Sequence, residues 1–186
     1  MSTCSHPIRS TLPSVACVML ATLLAGCAAS VQQAEQSQPR IEVPAAAARK
    51  IVLVVTGSDT ATRSSDWEAL RGEWRSAMST AAANAGLEFE WREGLVNPPR
   101  TPGTMAVVKV NDYRYLSTGA RYGFGAFAGN AFIDSEVSFR ELPSGRVLGS
   151  KPYSTSSTAW QGIFSAMTSK QVQAIAEEIV AEVVGR

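Results

Sequence analysis

The chain has 186 residues, with 17 basic side chains against 16 acidic and 45% apolar residues, enough for one self-sufficient hydrophobic core. This charge balance leaves no basic excess of the kind that binds nucleic acid. Three cysteines and one histidine limit nucleophilic and metal chemistry, and their positions narrow it further.

Residues 1–26 divide as an export signal does: a polar start with His6 and Arg9, an apolar centre from Val15 to Leu24, and a small-residue exit. The centre falls short of the roughly 20 apolar residues that a permanent membrane helix needs, and no later stretch supplies them. It closes in Leu24-Ala25-Gly26-Cys27, which resembles the lipobox of bacterial lipoproteins. The resemblance implies cleavage between Gly26 and Cys27, lipidation of the Cys27 thiol, and a membrane partner reached through that lipid. In such lipoproteins an Asp directly after the cysteine tends to retain the protein at the inner membrane. Ala28 stands there, which implies the outer membrane with the domain facing the periplasm.

Cleavage at that bond discards Cys4, Cys17, His6 and Arg9, leaving 16 basic residues against 16 acidic ones. A mature chain with no histidine, and with its one thiol acylated, cannot build a Ser-His-Asp triad, a Cys-His pair or a His/Cys zinc site. No metal and no cofactor is therefore expected.

Residues 27–48 are Ala, Gln, Ser and Pro with few large apolar side chains, and are expected to be a flexible lipidated tether holding the domain about 25 Å from the membrane. The other reading of this stretch makes Ile41-Glu42-Val43 an edge strand. The domain itself is expected over residues 49–186. Ile51 to Val55 is a continuous apolar run suited to a strand buried on both faces. Ser65 and Glu68 have capping-box spacing, after which Trp67, Leu70, Trp74, Ala77, Met78, Ala81 and Ala85 predict a helix ending at Gly86. Leu87, Phe89 and Trp91 alternate with charged residues as a half-wet strand, and strand, helix, strand at this spacing predicts two parallel strands.

Asn97-Pro98-Pro99 and Pro102-Gly103 then break the chain. Strands are predicted from Met105 to Leu116, from Ala131 to Glu141, and from Arg146 to Tyr153 after a turn at Pro143-Ser144-Gly145. Ser154 to Thr158 reads as a loop, and Trp160 to Phe164 as an apolar connector. Thr168 and Gln171 give a second capping box, followed by an apolar face of Val172, Ile175, Ile179 and Val183. The expected fold class is α/β (α+β): a single domain with a mixed sheet of about five strands and two helices, in the order β-α-β-β-β-β-α.

Gly119 to Gly129 is the unusual stretch. Gly123, Gly125 and Ala128 meet the loosest dinucleotide fingerprint, but a strand rather than a helix is predicted to follow, so a nucleotide is not expected. One reading is a glycine-kinked connection that packs its aromatics inward. The other notes that no acid lies between Asp112 and Asp134 while Tyr122, Phe124, Phe127 and Phe132 cluster, as an apolar surface for contact with an envelope protein partner or a membrane would. Glu88 with Glu90, and Asp134 with Glu136, are spaced about 7 Å apart on a strand face, a separation that glycoside hydrolysis uses. A solvated sheet face explains both pairs more simply. There is no Gly-x-Ser-x-Gly elbow and no Ser-x-x-Lys.

The lipobox, the Gly119 to Gly129 stretch followed by an alternating strand, the Leu142-Pro143-Ser144-Gly145-Arg146-Val147-Leu148 hairpin and the terminal amphipathic helix together resemble a family of small bacterial lipoproteins known as a domain of unknown function, DUF4410-like. The resemblance implies a periplasm-facing α/β lipoprotein and carries over no catalytic residue. The expectation is a non-enzymatic envelope lipoprotein that binds another envelope component. A subunit of a transport or secretion assembly is the alternative, and a carboxylate-dependent glycan hydrolase a more distant one.

Overall fold

The computed structural model of the chain describes residues 31–32, 39–95, 98–115, 131–156 and 167–185. The run Ile51 to Val55 lies in a strand that is buried on both faces: Ile51, Leu53 and Val55 point into the main core, while Val52 and Val54 join Met105, Val107 and Leu142 on the other side. In chain order the elements are β1 (Val31–Gln32), β2 (Lys50–Gly57), α1 (Asp59–Thr62), α2 (Trp67–Asn84), β3 (Glu88–Arg92), β4 (Gly103–Arg114), β5 (Phe132–Leu142), β6 (Val147–Ser156) and α3 (Met167–Val184). The strands form one mixed sheet in the order β1-β6-β5-β4-β2-β3. The expected fold class and the order of its main elements hold, with α1 and β1 added.

β2 is parallel to both β3 and β4, while β4, β5, β6 and β1 are antiparallel in succession. It follows that β2, β3, β4 and β6 finish, and β5 starts, at one end of the sheet, here called the exit end. The β5–β6 hairpin marks the other end, where Gly145 sits at φ +71°, its N–H donates to the Glu141 carbonyl at 2.7 Å, and Glu141 also pairs with Arg146. Pro152, which lacks an N–H, lies in β6 where, among the described residues, β1 pairs on the outer side only with Ser154 and Thr155.

Both long helices pack on one face of the sheet and on each other. α2 buries Leu70, Trp74, Met78, Ala81 and Ala82, and α3 buries Val172, Ile175, Ile179 and Val183, the stripes that their periodicity predicts. α2 ends in a Schellman turn: Gly86 is at φ +72°, the Leu87 N–H donates to the Ala82 carbonyl at 2.9 Å, and the Gly86 N–H to Ala83 at 3.1 Å.

Neither predicted capping box forms. The residue preceding α2 is Asp66, not Ser65, because the Ser64 carbonyl takes the Trp67 N–H at 3.1 Å in a turn that delays the helix. In α3 the side chain of Gln171 does not reach back to a cap. Its Nε2 donates to the Ala131 carbonyl at 3.0 Å, a buried partner that ties the helix to the start of β5. β6 also runs three residues beyond Tyr153, since Ser154, Thr155 and Ser156 pair with β5 where a loop was expected.

The largest departure lies before β2. Residue 49 is not the start of the folded body, because Ile41 is 6% and Ala47 2% exposed. Ile41 packs into the main core and lies against Gly149 of β6, where its Cγ1 would stand 3.3 Å from an added Cβ. Its N–H donates to Glu182 Oε2 at 3.4 Å, and the other oxygen of Glu182 pairs with Lys151. Ile41-Glu42-Val43 is nevertheless not a strand; the edge strand is β1, ten residues earlier. Part of the expected tether is thus a strap laid along β6. Replacing Ile41 with Ala should lower unfolding free energy by about 2 kcal/mol in a urea titration. An unchanged midpoint would mean that the strap adds nothing to the body.

Candidate functional site

Gly26, Cys27, Tyr122, Phe124, Phe127 and the Trp160 to Phe164 connector lie outside the described residues. Phe132 is described: it opens β5, half-buried, opposite Arg114 on one side and Ser156 on the other. Tyr115 and Ala131, which bracket the glycine-rich stretch, both stand at the exit end of the sheet.

The structure answers the question of the carboxylate pairs through Lys50, the first residue of β2. Lys50 lies opposite Glu88, and Val52 opposite Glu90, in the parallel β2–β3 register, so all four share the face away from the helices. Lys50 Nζ sits 2.8 Å from Glu88 Oε1 and 2.8 Å from Glu90 Oε2, and the second oxygen of Glu90 accepts from Arg92 Nη1 at 3.0 Å. The hydrogen bond from Lys50, seconded by that from Arg92, holds the Glu90 carboxyl below its ordinary range against the opposing effect of burial. Hydrogen bonds to Glu88 and then Glu90 raise the Lys50 ammonium above its own. A general acid needs the reverse, a carboxyl kept protonated near neutral pH. Glu88 also borders a shallow open groove of 520 Å³ with Arg49 and Pro102, and the group that it meets there is the Lys50 ammonium.

Asp134 and Glu136 are exposed on β5, Asp134 facing Asp112 across the β4–β5 ladder and Glu136 facing Lys109. With β4 and β2 intervening, they lie about 14 Å from the Glu88–Glu90 strand by the usual spacing between strands. The two carboxylate pairs are not brought into one site. Between them runs the buried apolar stripe of Val52, Val54, Met105, Val107 and Leu142, so this face has charged borders and a hydrophobic centre.

Two further clusters escaped the sequence reading. Arg71 bridges Glu68 and Glu93 and stands 5.5 Å over the Trp91 ring, while Trp91 Nε1 donates to Glu93 Oε1 at 2.9 Å. Only the Glu68–Arg71 spacing on α2 could have signalled it. In the main core, Tyr153 is fully buried, with no hydrogen-bond partner for its hydroxyl among the described residues. Burial, and secondarily the Glu182 and Glu178 carboxylates, push its phenol up, so it stays protonated and closed to substrate. Among the described residues no group of three His, Cys, Asp or Glu could hold a metal ion, and no helix is long and apolar enough to cross a membrane.

This architecture defines a single mixed α/β domain with both long helices on one face of its sheet. No protein-family model matches the sequence, and no curated protein matches it. Among solved structures, the chain is similar to the PelC dodecamer from Paraburkholderia phytofirmans, with a TM-score of 0.51 and 13% identity over 84% of this chain and 98% of that one. A variant of the same protein gives a TM-score of 0.47 at 11% identity, covering 83% and 95% of the two chains. A Xanthomonas campestris protein of the family DUF330 gives 0.45 at 11% identity, covering 79% and 94%. At these identities the likeness is one of fold. It reaches a domain-of-unknown-function protein, though not the DUF4410-like family in particular.

The Lys50 cluster makes a prediction about pH. The contribution from Glu90 is complete above the ordinary carboxyl value of 4.5 and is lost as pH falls through its lowered folded value. That from Lys50 is complete below 10.5 and is lost as pH rises through its raised folded value. Lys50→Met should therefore cost on the order of 1 kcal/mol, the deficit being widest between about pH 5 and 10 and narrowing on either side, as read by urea unfolding. A deficit independent of pH would remove the ion pairs from this account.

Proposed function

We propose that this chain is a non-enzymatic lipoprotein of the bacterial envelope, anchored by a lipid on Cys27 in the outer membrane, whose α/β domain faces the periplasm and binds another envelope protein. The observation that carries the reading is the Leu24-Ala25-Gly26-Cys27 box, followed by a chain with no histidine and no further thiol. The engagement of Glu88 and Glu90 by Lys50 supports a structural role for the carboxylates that could otherwise have served a hydrolase. The resemblance of the glycine-rich stretch and the hairpin to DUF4410-like lipoproteins supports the same reading.

Cys27→Ser tests the anchor. The variant should lose incorporated palmitate, keep its leader, and fail to reach the outer-membrane fraction on a density gradient. Normal processing and unchanged fractionation would defeat the lipid anchor.

For the partner we assign Tyr122, Phe124, Phe127 and Phe132 as the contact surface, on the strength of an aromatic run with no acid between Asp112 and Asp134. A second reading, as a subunit of a transport or secretion assembly, draws on the fold shared with a protein solved as a dodecamer. In-cell crosslinking distinguishes the two. A single heterologous product that disappears in the Phe124→Ser, Phe127→Ser double variant supports the binding module. A ladder of self-multiples supports the assembly. Identical products from a folded double variant remove the aromatic surface.

A further inference from the structure

The strap fixes where the chain leaves the domain. β1 runs antiparallel to β6, Val31 opposite Thr155 and Gln32 opposite Ser154. Ten residues later Ile41 lies against Gly149, and Arg40, Glu42, Val43 and Pro44 line a groove with Arg146 and Leu148. Followed towards the N-terminus, the described residues of the strap thus run from the hairpin end at Ile41 to the exit end at Val31.

From Cys27 to Val31 there are four residues, which fully extended span about 14 Å. From Thr155 back to Val147 at the hairpin end there are eight residues of strand, or about 26 Å. A leash of 14 Å cannot bring the hairpin end to the lipid while β1 stays paired. It is also short enough to deny the domain free rotation about its anchor. We propose, resting on lipidation of Cys27, that the domain lies against the bilayer that carries its lipid, with the exit end of the sheet turned to the phospholipid surface and the hairpin end and C-terminus turned away. Phe132, which opens β5 at that end, then lies beside the bilayer, so the partner assigned to it is one met at the membrane surface. What projects into the periplasm is the Pro143-Ser144-Gly145 turn with exposed Val147.

Fluorescence quenching tests this on the intact lipidated protein. Cys4 and Cys17 leave with the leader and Cys27 is acylated, so one introduced thiol takes the label alone. Asp59, 94% exposed just past the end of β2, reports on the exit end, and Val147, 56% exposed, on the hairpin end. In vesicles of phosphatidylethanolamine and phosphatidylglycerol carrying a nitroxide on the headgroup, label at Asp59→Cys should be quenched several-fold more than label at Val147→Cys. A Gly-Ser insertion of about ten residues between Ala29 and Ser30 should bring the two towards equality by lengthening the leash. Equal quenching without the insertion, stronger quenching at Val147→Cys, or a difference that survives the insertion would each overturn the orientation. A protein whose mass shows no lipid and which does not bind the vesicles defeats the Cys27 reading, and the orientation with it. A lipid-bearing, vesicle-bound protein with equal quenching defeats the orientation alone.

Discussion

Both faces of β2 are out of water, and the rest of the domain is arranged to keep them so. One face is roofed by α2, whose Trp74 and Met78 join Ile51 and Leu53 in the main core, while α3 brings Ile175 and Ile179 into the same core over the neighbouring strands β4, β5 and β6. The other holds Val52 and Val54 beside Met105, Val107 and Leu142. Burying such residues contributes about 1.5–3 kcal/mol per side chain, an upper bound because the unfolded chain is itself partly collapsed. A strand buried this way can take neighbours on both sides, and it takes β3 and β4 in parallel, which requires the α2 crossover to reach β3.

The position of the charges follows from this arrangement. Lys50 begins β2 where its apolar run begins, and a lysine with 11% of its side chain exposed needs partners. Glu88 and Glu90 of the edge strand provide them, and Arg92 completes the row. Charged side chains on β3 also suit a strand whose outer side is open, because they discourage pairing with another chain. Lys151 and Glu182 do comparable work at the opposite side of the sheet, where Glu182 additionally receives the Ile41 N–H and so fastens the strap.

Much of the fold was legible in the sequence. The stripes on α2 and α3 and the alternation in β5 depend on local periodicity, and each is present close to its expected limits. What could not be read depends on residues far apart. β1 has two residues in an Ala-, Gln- and Ser-rich stretch and owes its existence to the edge of β6 more than a hundred positions later. Nothing local marks Lys50 as part of a cluster, because its carboxylates lie 38 and 40 residues on. Ser65 and Gln171 matched capping boxes locally, but a turn at Ser64 and the Ala131 carbonyl won the competition. Of the candidate site, the structure speaks to Phe132 and to the two carboxylate pairs, while Cys27 and the remaining aromatics rest on the sequence.

The leader, the strap and the charge-sealed domain fit together if the chain hangs by its first mature residue, since a body tied down at Val31 has little slack to spend between itself and a lipid at Cys27. Intact-mass spectrometry of the protein recovered from cell envelopes tests that claim most directly. The account predicts a chain that begins at Cys27 and carries the added mass of thioether-linked diacylglycerol and an amide-linked acyl chain. A protein that retains residues 1–26 with an unmodified Cys27 thiol would contradict it.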